Sequence, residues 1–383
     1  MKSFLYEYTM LLGDAIRADF QDNYDVDRFG PEKRQSFCLK EFCRGSVATL
    51  GLVSAGAARQ TVDSGLRFVE PHLADLEWLY AKLADEESKQ WLTSLMAFRA
   101  VGHRKIRLAT NTPNYWKGVR KAKALALSDE VIDLGFLGFA ATKLNLSSVG
   151  YPIDLFFVPF AVHIQFVMEP YRCVSGQAVI EARRGDFVLD CGGCYGDTAL
   201  YFAHKVGPEG RVFSFEFVPA NLDIWHKNIE LNPNLKPAIR LVEAPVSDKS
   251  GQKLFIEGSG PGTRIVQKPS STSAASVLTV AIDDVIERED IKKVDFVKMD
   301  IEGSELAALL GAEKTLCKFR PTLAVSVYHS LSDFWNIPRY LESLNLGYRF
   351  YLRHFTIHAE ETVLFAVPKG REHLFSDAPS QAV

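Results

Sequence analysis

The sequence predicts an α/β fold: a mostly parallel, doubly wound sheet whose last strand is antiparallel, preceded by a mainly helical N-terminal region. From about Gly176 onward, short apolar runs alternate with amphipathic helical patterns, which is typical of parallel strands joined by helices. Before residue 150, apolar side chains recur mainly at helical spacing. The last two apolar runs are joined only by Phe355 to Glu361. That is too short for a parallel crossover, so we expect the final strand to run antiparallel.

These patterns divide the chain into four segments. We expect a helical accessory region at 1–150, a connecting segment at 151–175, an α/β domain at 176–368 and a polar tail at 369–383. The best-marked helix of the first segment follows Asp85, a favoured N-cap residue, and ends at Gly102, a favoured C-cap residue.

The α/β domain contains five predicted strands and their helices before a closing pair of strands. Each strand is a short run rich in Val, Ile, Leu and Phe, bounded by Gly, Pro, Asn or charged residues. The predicted strands are 186–190, 211–216, 238–243, 294–300, 322–329, 347–354 and 362–368. The best-defined helices are 196–207, 219–232 and 303–316, and a hairpin-type excursion is formed by 252–258 and 276–282.

The composition is that of a globular protein and gives no electrostatic support to a nucleic-acid partner. The 383 residues are 47% hydrophobic and 24% charged, with a formal net charge of -3. The most apolar stretch, 151–167, contains Asp154 and Pro159 and is too short and polar to span a bilayer. Glu7 and Asp14 interrupt the apolar residues at the start, so we expect no signal peptide and a cytoplasmic protein.

The stretch "VLDCGGCYGDT", from Val188 to Thr198, joins the first strand of the α/β domain to the next helix. In doubly wound sheets, ligands bind beyond the carboxyl ends of the strands, where this turn lies. Glycines there let a ligand approach backbone N–H groups and let the helix pack closely. The candidate cofactor-binding residues of this turn and of the second strand are Asp190, Gly192, Gly193, Gly196, Thr198 and Glu216.

The spacing and charge of the turn favour a cationic ligand over a dinucleotide. Its glycines follow G-G-x-x-G, whereas a pyrophosphate-binding turn usually reads G-x-G-x-x-G. Asp190 and Asp197 flank the turn, and their negative charge repels phosphate but attracts the sulfonium and ammonium groups of S-adenosylmethionine (SAM). Glu216 ends the neighbouring strand, roughly 4.8 Å away, where a carboxylate can accept from both ribose hydroxyls.

Cys191 and Cys194 have the spacing of a zinc-binding or redox pair. The chain has six cysteines but no second C-x-x-C pair to complete a zinc site. The flanking residues also lack the neighbourhood of a thioredoxin-type motif. We therefore expect no metal here, and a metal or redox role is the less favoured alternative.

Polar side chains also end the later strands of the domain. Asp300 ends the fourth strand, and Glu302 follows it near the start of a helix, where an acid also favours the helix dipole. The other candidates end the fifth strand and the first closing strand: Tyr328, His329, Arg353 and His354. Because the fourth and fifth strands should be neighbours, we expect Asp300 to orient His329 as a general base. The remaining candidates, which we expect to contact the substrate, are Glu302, Tyr328, Arg353 and His354.

Four stretches resemble the FkbM-type SAM-dependent methyltransferases: "FVLDCGGCYGDT", "VFSFEFVPANLDIWHKNIELN", "VDFVKMDIEGSELAALLGAEKTL" and "RPTLAVSVYH". The resemblance covers about 176–368, and "KMDIEGSELAALLGA" is its most specific part. It implies a Rossmann-like class I methyltransferase sheet. It also implies that Asp190, Gly192 and Gly196 surround the methionine and ribose of SAM, that Glu216 binds the ribose, and that Asp300 and Glu302 lie beside the methyl-transfer site.

The chain departs from the family's pattern at two places. It has "FEFVP" where the family usually has "FEP", and Ser326 lies where the family's fifth strand often ends in a glutamate. The first departure leaves Glu216 in place and shifts the following turn. The second leaves the identity of the acid–base group open.

These features predict a SAM-dependent methyltransferase that is O-directed and acts on a sugar, a glycan or another polyhydroxylated small molecule. The acceptor class comes from the resemblance alone. The alternatives are an N-methyltransferase, an NAD-dependent oxidoreductase, which the acids of the glycine turn disfavour, and a non-catalytic Rossmann-like interaction protein. We expect the helical region to shape the acceptor pocket or an oligomer contact. The acceptor, the oligomeric state and the assistance of a divalent metal stay open.

Overall fold

The computed structural model describes residues 2–32, 55–135, 138–258, 260–268 and 275–369. The predicted polar tail lies outside the described residues, apart from Lys369. Within the described ranges, no helix is both long enough and apolar enough to cross a membrane.

The helices of the described ranges fall mainly in the first third of the chain and between the strands of the α/β domain. They are α1 (Phe4–Ala15), α2 (Val26–Phe29), α3 (Ala55–Val69), α4 (Leu73–Lys82), α5 (Glu86–Val101), α6 (Pro113–Lys123), α7 (Pro159–Val162), α8 (Asp197–Val206), α9 (Pro219–Glu230), α10 (Ile282–Arg288), α11 (Glu305–Leu310), α12 (Glu313–Phe319) and α13 (Asp333–Ser343). A π-helical segment, His163–Met168, continues α7.

The strands begin at Ala126 and continue to the end of the described chain. They are β1 (Ala126–Asp133), β2 (Ala140–Asn145), β3 (Asp154–Phe157), β4 (Cys173–Ser175), β5 (Ala178–Ile180), β6 (Phe187–Cys191), β7 (Arg211–Phe215), β8 (Ile239–Val242), β9 (Lys253–Glu257), β10 (Arg264–Val266), β11 (Ser276–Leu278), β12 (Phe296–Met299), β13 (Thr322–Ser326), β14 (Arg349–His354) and β15 (Thr362–Val367).

The chain forms two compact units, residues 1–117 with 350–362, and residues 118–349 with 363–383. In the first unit, α1 packs against α3 and α5 through one apolar face, which contains Phe4, Tyr8 and Leu12 at helical spacing. The helix predicted between Asp85 and Gly102 is α5. The Asp85 side chain accepts from the Ser88 N–H, and Gly102 ends the helix at φ +83°.

The second unit contains six strands of the central sheet, in the order β15–β13–β12–β6–β7–β8. The five strands from β13 to β8 pair in parallel, and β15 pairs antiparallel with β13. This arrangement confirms the predicted Rossmann-like sheet and its antiparallel last strand. The chain runs outward from β6 through β7 to β8 and then returns to β12 on the other side of β6. The strand order therefore reverses between β6 and β12, where open α/β sheets bind their ligands.

Every residue of β12 and β13 is buried, as expected for central strands with helices on both faces. In the register of β12 with β6, Lys298 lies opposite Asp190 and Met299 opposite Cys191. The two strands therefore end together, and this brings the turn after β6 beside the turn after β12.

The structure adds a feature that helical periodicity did not identify, the antiparallel sheet β1–β2–β3. Asn228 of α9 and Asn232, which follows the helix, bind the backbone of β3 through both the oxygen and the nitrogen of their side-chain amides. Asn228 accepts from Phe156 N–H at 2.6 Å and donates to Phe156 C=O at 3.0 Å, and Asn232 does the same with Asp154 at 3.0 and 2.6 Å. Asn228 also donates to the Tyr195 carbonyl at 2.8 Å, so the same amide supports the glycine turn.

The helix predicted over 303–316 is interrupted and forms α11 and α12. Gly311 lies at the break, where a Cβ would come within 2.2 Å of the Ser247 carbonyl oxygen. The close approach of these two backbones explains why glycine occupies this position.

Candidate active site

The turn predicted to bind the cofactor, after β6, lies beside the turn after β12, which contains the predicted catalytic residue Asp300. The turn after β6 spans 192–196, and that after β12 spans 300–304. The residues directly after β13, which include Tyr328 and His329, lie next to these two turns.

The glycines of the turn after β6 allow close backbone packing within the protein itself. Gly192 has φ +90°, and a Cβ there would lie 2.0 Å from the Asp300 carbonyl oxygen. A Cβ at Gly193 would lie 2.2 Å from the Ser214 Oγ. The N–H groups of Gly192 and Gly193 both donate to the Phe215 carbonyl, at 3.1 and 2.8 Å. The glycines therefore bring the ends of β6, β7 and β12 together.

Asp190 holds this turn from inside the protein. Its side chain is fully buried, and its Oδ2 accepts from Thr198 Oγ1 and Ser214 Oγ, both at 2.9 Å. Lys298 Nζ lies 3.2 Å from its Oδ1. The carboxylate of Asp190 thus links β6 to β7, to β12 and to the first turn of α8.

Lys298 is the buried cation of the site, with 1% of its side chain exposed. Its Nζ donates to the carbonyls of Cys191 at 3.1 Å and Gly192 at 2.5 Å. Burial by itself lowers the pKa of Lys298, but the carboxylates of Asp190, Asp300 and Asp197 outweigh burial and raise it. Lys298 therefore stays charged and stabilises the acids of the turn.

Asp197 begins α8 directly after Gly196, which has φ +81° and packs against Trp225. Burial raises the pKa of Asp197 to about 7, and the neighbouring Asp190 adds to this effect while Lys298 opposes it. This carboxyl is therefore balanced between its neutral and charged forms, and a cation bound beside it would favour the charged form.

Glu216 follows β7 and is buried. Its Oε1 accepts from the N–H groups of Phe217 and Val218 at 2.6 and 2.8 Å, and its Oε2 accepts from Asn221 Nδ2 at 3.3 Å. Burial raises the pKa of Glu216, although these donors partly offset the effect. The two short contacts fix one carboxylate oxygen, and the other has only the longer contact with Asn221.

Cys191 and Cys194 are both free thiols. Burial raises the pKa of each thiol above its ordinary value. Burial therefore favours the protonated form of each thiol when no metal is bound, and the expectation that this pair has no metal or redox role stays a prediction.

Asp300 follows β12 and is held by two phenol groups. Tyr171 OH donates to its Oδ2 at 3.2 Å, and Tyr328 OH donates to its Oδ1 at 3.1 Å. His329 Nε2 lies 3.4 Å from the same Oδ1. The predicted Asp300, Tyr328 and His329 are therefore brought together at the end of β13.

His329 is surrounded by carboxylates, of which Asp300 is only one. Its Nδ1 lies 2.9 Å from Glu305 Oε1, and its Nε2 lies 3.6 Å from Glu302 Oε1. Burial by itself lowers the pKa of His329, but contacts with Glu302 and Glu305 and the charge of Asp300 raise it to about 11. A protonated imidazole has no free lone pair. The general-base role predicted for His329 therefore requires that another group first displace this proton.

Glu302 reaches His329 from a turn with an unusual backbone. Glu302 has φ +54° and Gly303 has φ +91°. The Glu305 side chain, directly after the turn, accepts a hydrogen bond from Ile301 N–H at 2.9 Å. A positive φ is uncommon for residues other than glycine and is found at functional sites more often than elsewhere. The Glu302 side chain is 32% exposed.

Arg353 and His354 belong to the first unit and have partners there. Arg353 forms a buried ion pair with Asp85, at 2.7 Å, and donates to Ser88 Oγ at 2.9 Å. His354 Nδ1 lies 2.9 Å from Thr362 Oγ1, and burial lowers the pKa of the ring to about 3. The predicted substrate role of these two residues stays a prediction.

Four residues of the site were not among the sequence-based candidates: Tyr171, Ser214, Lys298 and Glu305. The alternation of Lys298, Asp300 and Glu302 along the chain is a signal for Lys298, because alternate residues of a strand share a face. Glu305 was not identified as a site residue because an acid at this position is equally expected in the first turn of a helix. Tyr171 is far away in sequence, and no local pattern marks it.

Residues 190–350 match a family model described as the methyltransferase FkbM domain. One relative is Methyltransferase 1 of Beauveria bassiana, 24% identical over 180 residues that cover 41% of this chain and 70% of the relative. Another is the hexuronic acid methyltransferase AglP of Haloferax volcanii, 29% identical over 136 residues, which cover 36% of this chain and 54% of AglP. This chain therefore matches about half the length of AglP.

Solved methyltransferase structures also resemble the chain, at low sequence identity. A methyltransferase FkbM from Methylobacillus flagellatus KT is 20% identical, with a TM-score of 0.49, and the match covers 90% of this chain and 72% of that one. Fibrillarin from Aeropyrum pernix, solved with bound SAM, is 16% identical, with a TM-score of 0.33, and the match covers 63% and 97% of the two chains.

Proposed function

We propose that this chain, whose residues 190–350 carry a methyltransferase domain of the FkbM family, methylates a hydroxyl oxygen of a sugar or another polyhydroxylated small molecule with SAM as the donor. The observation that carries the proposal is the acid-rich glycine turn at the switch point of the sheet. The sugar acceptor is supported by the name of one relative, a hexuronic acid methyltransferase.

The charges around the turn fit a cationic donor. Four acids, Asp190, Asp197, Glu216 and Asp300, surround the turn, and one buried cation, Lys298, lies among them. This excess of negative charge would repel the diphosphate of a dinucleotide, which disfavours the oxidoreductase alternative. The sulfonium and ammonium groups of SAM carry the opposite charge and are attracted by it.

Particular residues have the chemistry to hold the donor. We propose that Glu216 binds the ribose hydroxyls through the carboxylate oxygen that has only the longer contact with Asn221. We propose that Asp197 stabilises the cationic end of the donor. The cofactor-binding role predicted for Asp190, Gly192, Gly193, Gly196 and Thr198 stays a prediction, and it is supported by their position in the turn.

In the transfer, the acceptor oxygen bonds to the methyl carbon while the carbon–sulfur bond breaks and its electron pair stays on sulfur. The hydroxyl proton passes to His329, the predicted general base, once the proton already on that ring has been displaced. The chain's main contribution is to align the acceptor with the methyl group. We propose that Asp300 and His329 line the acceptor position, because they meet beside the glycine turn. Glu302 and Tyr328 are the proposed substrate contacts from the same two strand ends.

His329→Ala is expected to lower the rate of methyl transfer by about 10²–10⁴-fold, the usual contribution of a group that handles a reacting proton. Affinity for S-adenosylhomocysteine should stay nearly unchanged, because His329 lies at the acceptor side of the site. Single-turnover kinetics and calorimetry measure the two quantities separately. A folded variant with full turnover would remove His329 from the reaction.

The function itself is tested with SAM labelled with carbon-13 in its methyl group. The full chain is incubated with neutral sugars, uronic acids and amino sugars, and the labelled products are identified by nuclear magnetic resonance. We expect label on an oxygen of a sugar or uronic acid, and slower labelling with Glu216→Gln at a SAM concentration that does not saturate the variant. Label on nitrogen would support N-methylation instead, and no label on any acceptor class, despite bound SAM, would contradict the proposed acceptor.

A further inference from the structure

Three side chains beyond the ends of β12 and β13, one of them from the first residue of α11, lie close enough together to share a cation. Asp300, Glu305 and His329 each offer one ligand atom, and these atoms all lie within 4.8 Å of one another. A divalent cation in octahedral coordination holds its ligands at about 2.1 Å, which places the ligand atoms about 3.0–4.2 Å from each other. In the structure, Asp300 lies at Nε2 of His329 and Glu305 lies at Nδ1, so binding of a shared cation requires the imidazole or the Glu305 carboxylate to rotate.

Within the described ranges, three buried atoms of this cluster lack the hydrogen bonds that usually accompany buried charge. Glu305 has 1% of its side chain exposed, and its Oε2 has no hydrogen-bond partner among the described residues. Neither ring nitrogen of His329 has a partner in hydrogen-bonding geometry within the same part of the chain, although carboxylate oxygens lie 2.9–3.6 Å away. Buried polar groups are nearly always paired, so the unpaired atoms of this cluster indicate a missing ligand.

The charges lead to the same conclusion. Three carboxylates, those of Asp300, Glu302 and Glu305, lie within 3.6 Å of one imidazole. The nearby cation Lys298 is directed instead at Asp190 and at two carbonyls of the glycine turn. A buried excess of negative charge is costly unless a cation is bound to it.

We propose that Asp300, Glu305 and His329 bind a divalent cation, which holds the acceptor hydroxyl next to the methyl donor. Two carboxylates and one imidazole form a donor set suited to Mn²⁺, with Mg²⁺ as the harder alternative. The binding site is inferred from the cluster alone. Its use in catalysis rests on the proposed methyl transfer.

The cation gives the acceptor a route to lose its proton without a histidine acting as the general base. An oxygen bound to a divalent cation releases its proton far more readily than a free hydroxyl, and here the proton passes to water. The resulting alkoxide then takes the methyl group. In this proposal His329 is a metal ligand and not the general base predicted from the sequence. Measuring whether the chain binds a divalent cation through His329 distinguishes the two roles.

The test uses the full chain after removal of divalent ions with a chelator. MnCl₂ is titrated in, and free Mn²⁺ is measured by its electron paramagnetic resonance signal. We expect saturation at one equivalent per chain. Asp300→Asn and Glu305→Gln should each weaken binding by at least 10–100-fold, since loss of even a supporting contact to a metal ligand has an effect of that size. Glu289→Gln removes the same charge at an exposed position and should bind Mn²⁺ like the wild type.

The coordination of His329 is tested by spectroscopy. Electron spin echo measurements on the Mn²⁺-loaded chain should show coupling to one imidazole nitrogen, and His329→Gln should abolish this coupling. Circular dichroism and S-adenosylhomocysteine calorimetry establish that each variant is folded.

Each outcome decides one of the two proposals. If the wild type binds no Mn²⁺ or Mg²⁺ at one equivalent, or if folded Asp300→Asn and Glu305→Gln bind Mn²⁺ normally, the cation site is wrong. Binding of S-adenosylhomocysteine by the metal-free chain would then leave the proposed function standing. Mn²⁺ binding that depends on the cluster, without binding of S-adenosylhomocysteine, would support the cation site and overturn the methyltransferase proposal.

Discussion

Asp197 is the residue of the glycine turn whose charge is most sensitive to pH near neutrality. Its pKa is raised from 3.8 to about 7 in the folded chain, so the folded state holds more protons than the unfolded state between these values. The stability that this carboxyl contributes is fully present below about pH 4 and is lost as the pH rises through 7. Asp197→Asn should therefore be more stable than the wild type above pH 7 and similar near pH 4. Urea unfolding at both pH values measures the difference.

The same ionisation should control binding of the donor. A cation beside Asp197 favours its charged form, while Lys298 and Asp190 face it from β12 and β6. We expect SAM affinity to rise between pH 6 and 8 in the wild type, and calorimetry should show a flatter profile for Asp197→Asn. An equally steep rise in that variant would assign the pH dependence to another group.

Glu216 allows a conservative test of the ribose contact. Glu216→Gln keeps an oxygen for the Phe217 and Val218 N–H groups but replaces the other oxygen with a donor. Hydrogen bonds to a charged group contribute about 1.5–3 kcal/mol each, so SAM affinity should fall at least tenfold. Calorimetry measures the affinity, and thermal unfolding checks that the loop is intact. Unchanged affinity in the folded variant would move the ribose elsewhere.

At the scale of elements, the glycine turn depends on two separate constraints at Gly192. The residue has φ +90°, and any Cβ would collide with the Asp300 carbonyl. Gly251 is a matched control, since it has φ +78° and nothing within 4 Å of a Cβ. Gly251→Ala should cost about 1–3 kcal/mol through its backbone conformation alone. Gly192→Ala should cost clearly more, because the ends of β6 and β12 must also separate. Equal losses in the free energy of unfolding would contradict this account of the turn.

The elements of the α/β domain were predictable because each one carries its own local pattern. β7, β8, β12 and β13 fall within the predicted strands, and β6 extends one residue beyond its prediction, to Cys191. Short apolar runs bounded by polar residues or glycine can be recognised without knowledge of the fold. The break between α11 and α12 was not predicted, because it arises from contact of Gly311 with a distant backbone at Ser247. The position of Glu305 beside His329 depends in the same way on the pairing of β12 with β13.

At the scale of the whole molecule, the division into two units was beyond the reach of sequence reasoning. Residues 350–362 are late in the chain but belong with 1–117. Phe350 pairs with Leu83, and the Phe350 carbonyl accepts from Ala84 N–H at 2.8 Å. Pairings between residues so far apart leave no periodic signal in the sequence.

The division predicts where the chain can be shortened. A chain that starts at Gly118 keeps the sheet β1–β2–β3, whereas one that starts at Tyr151 loses β1 and β2 and exposes the edge of β3. Both shortened chains lack the contacts that residues 350–362 make with residues 1–117. They are therefore a matched pair that differs only in residues 118–150. We expect the shorter chain to be less soluble and to unfold at a lower temperature. Equal solubility and unfolding temperature would mean that β1 and β2 do not support the second unit.

We propose that the glycine turn binds a sulfonium donor and not a dinucleotide. Calorimetric titration of the full chain with SAM, S-adenosylhomocysteine, NAD and NADP distinguishes these two classes of ligand. We expect one equivalent of SAM and of S-adenosylhomocysteine to bind per chain, with no heat from NAD or NADP beyond dilution. Binding of NAD or NADP at one equivalent, or of none of the four, would contradict it.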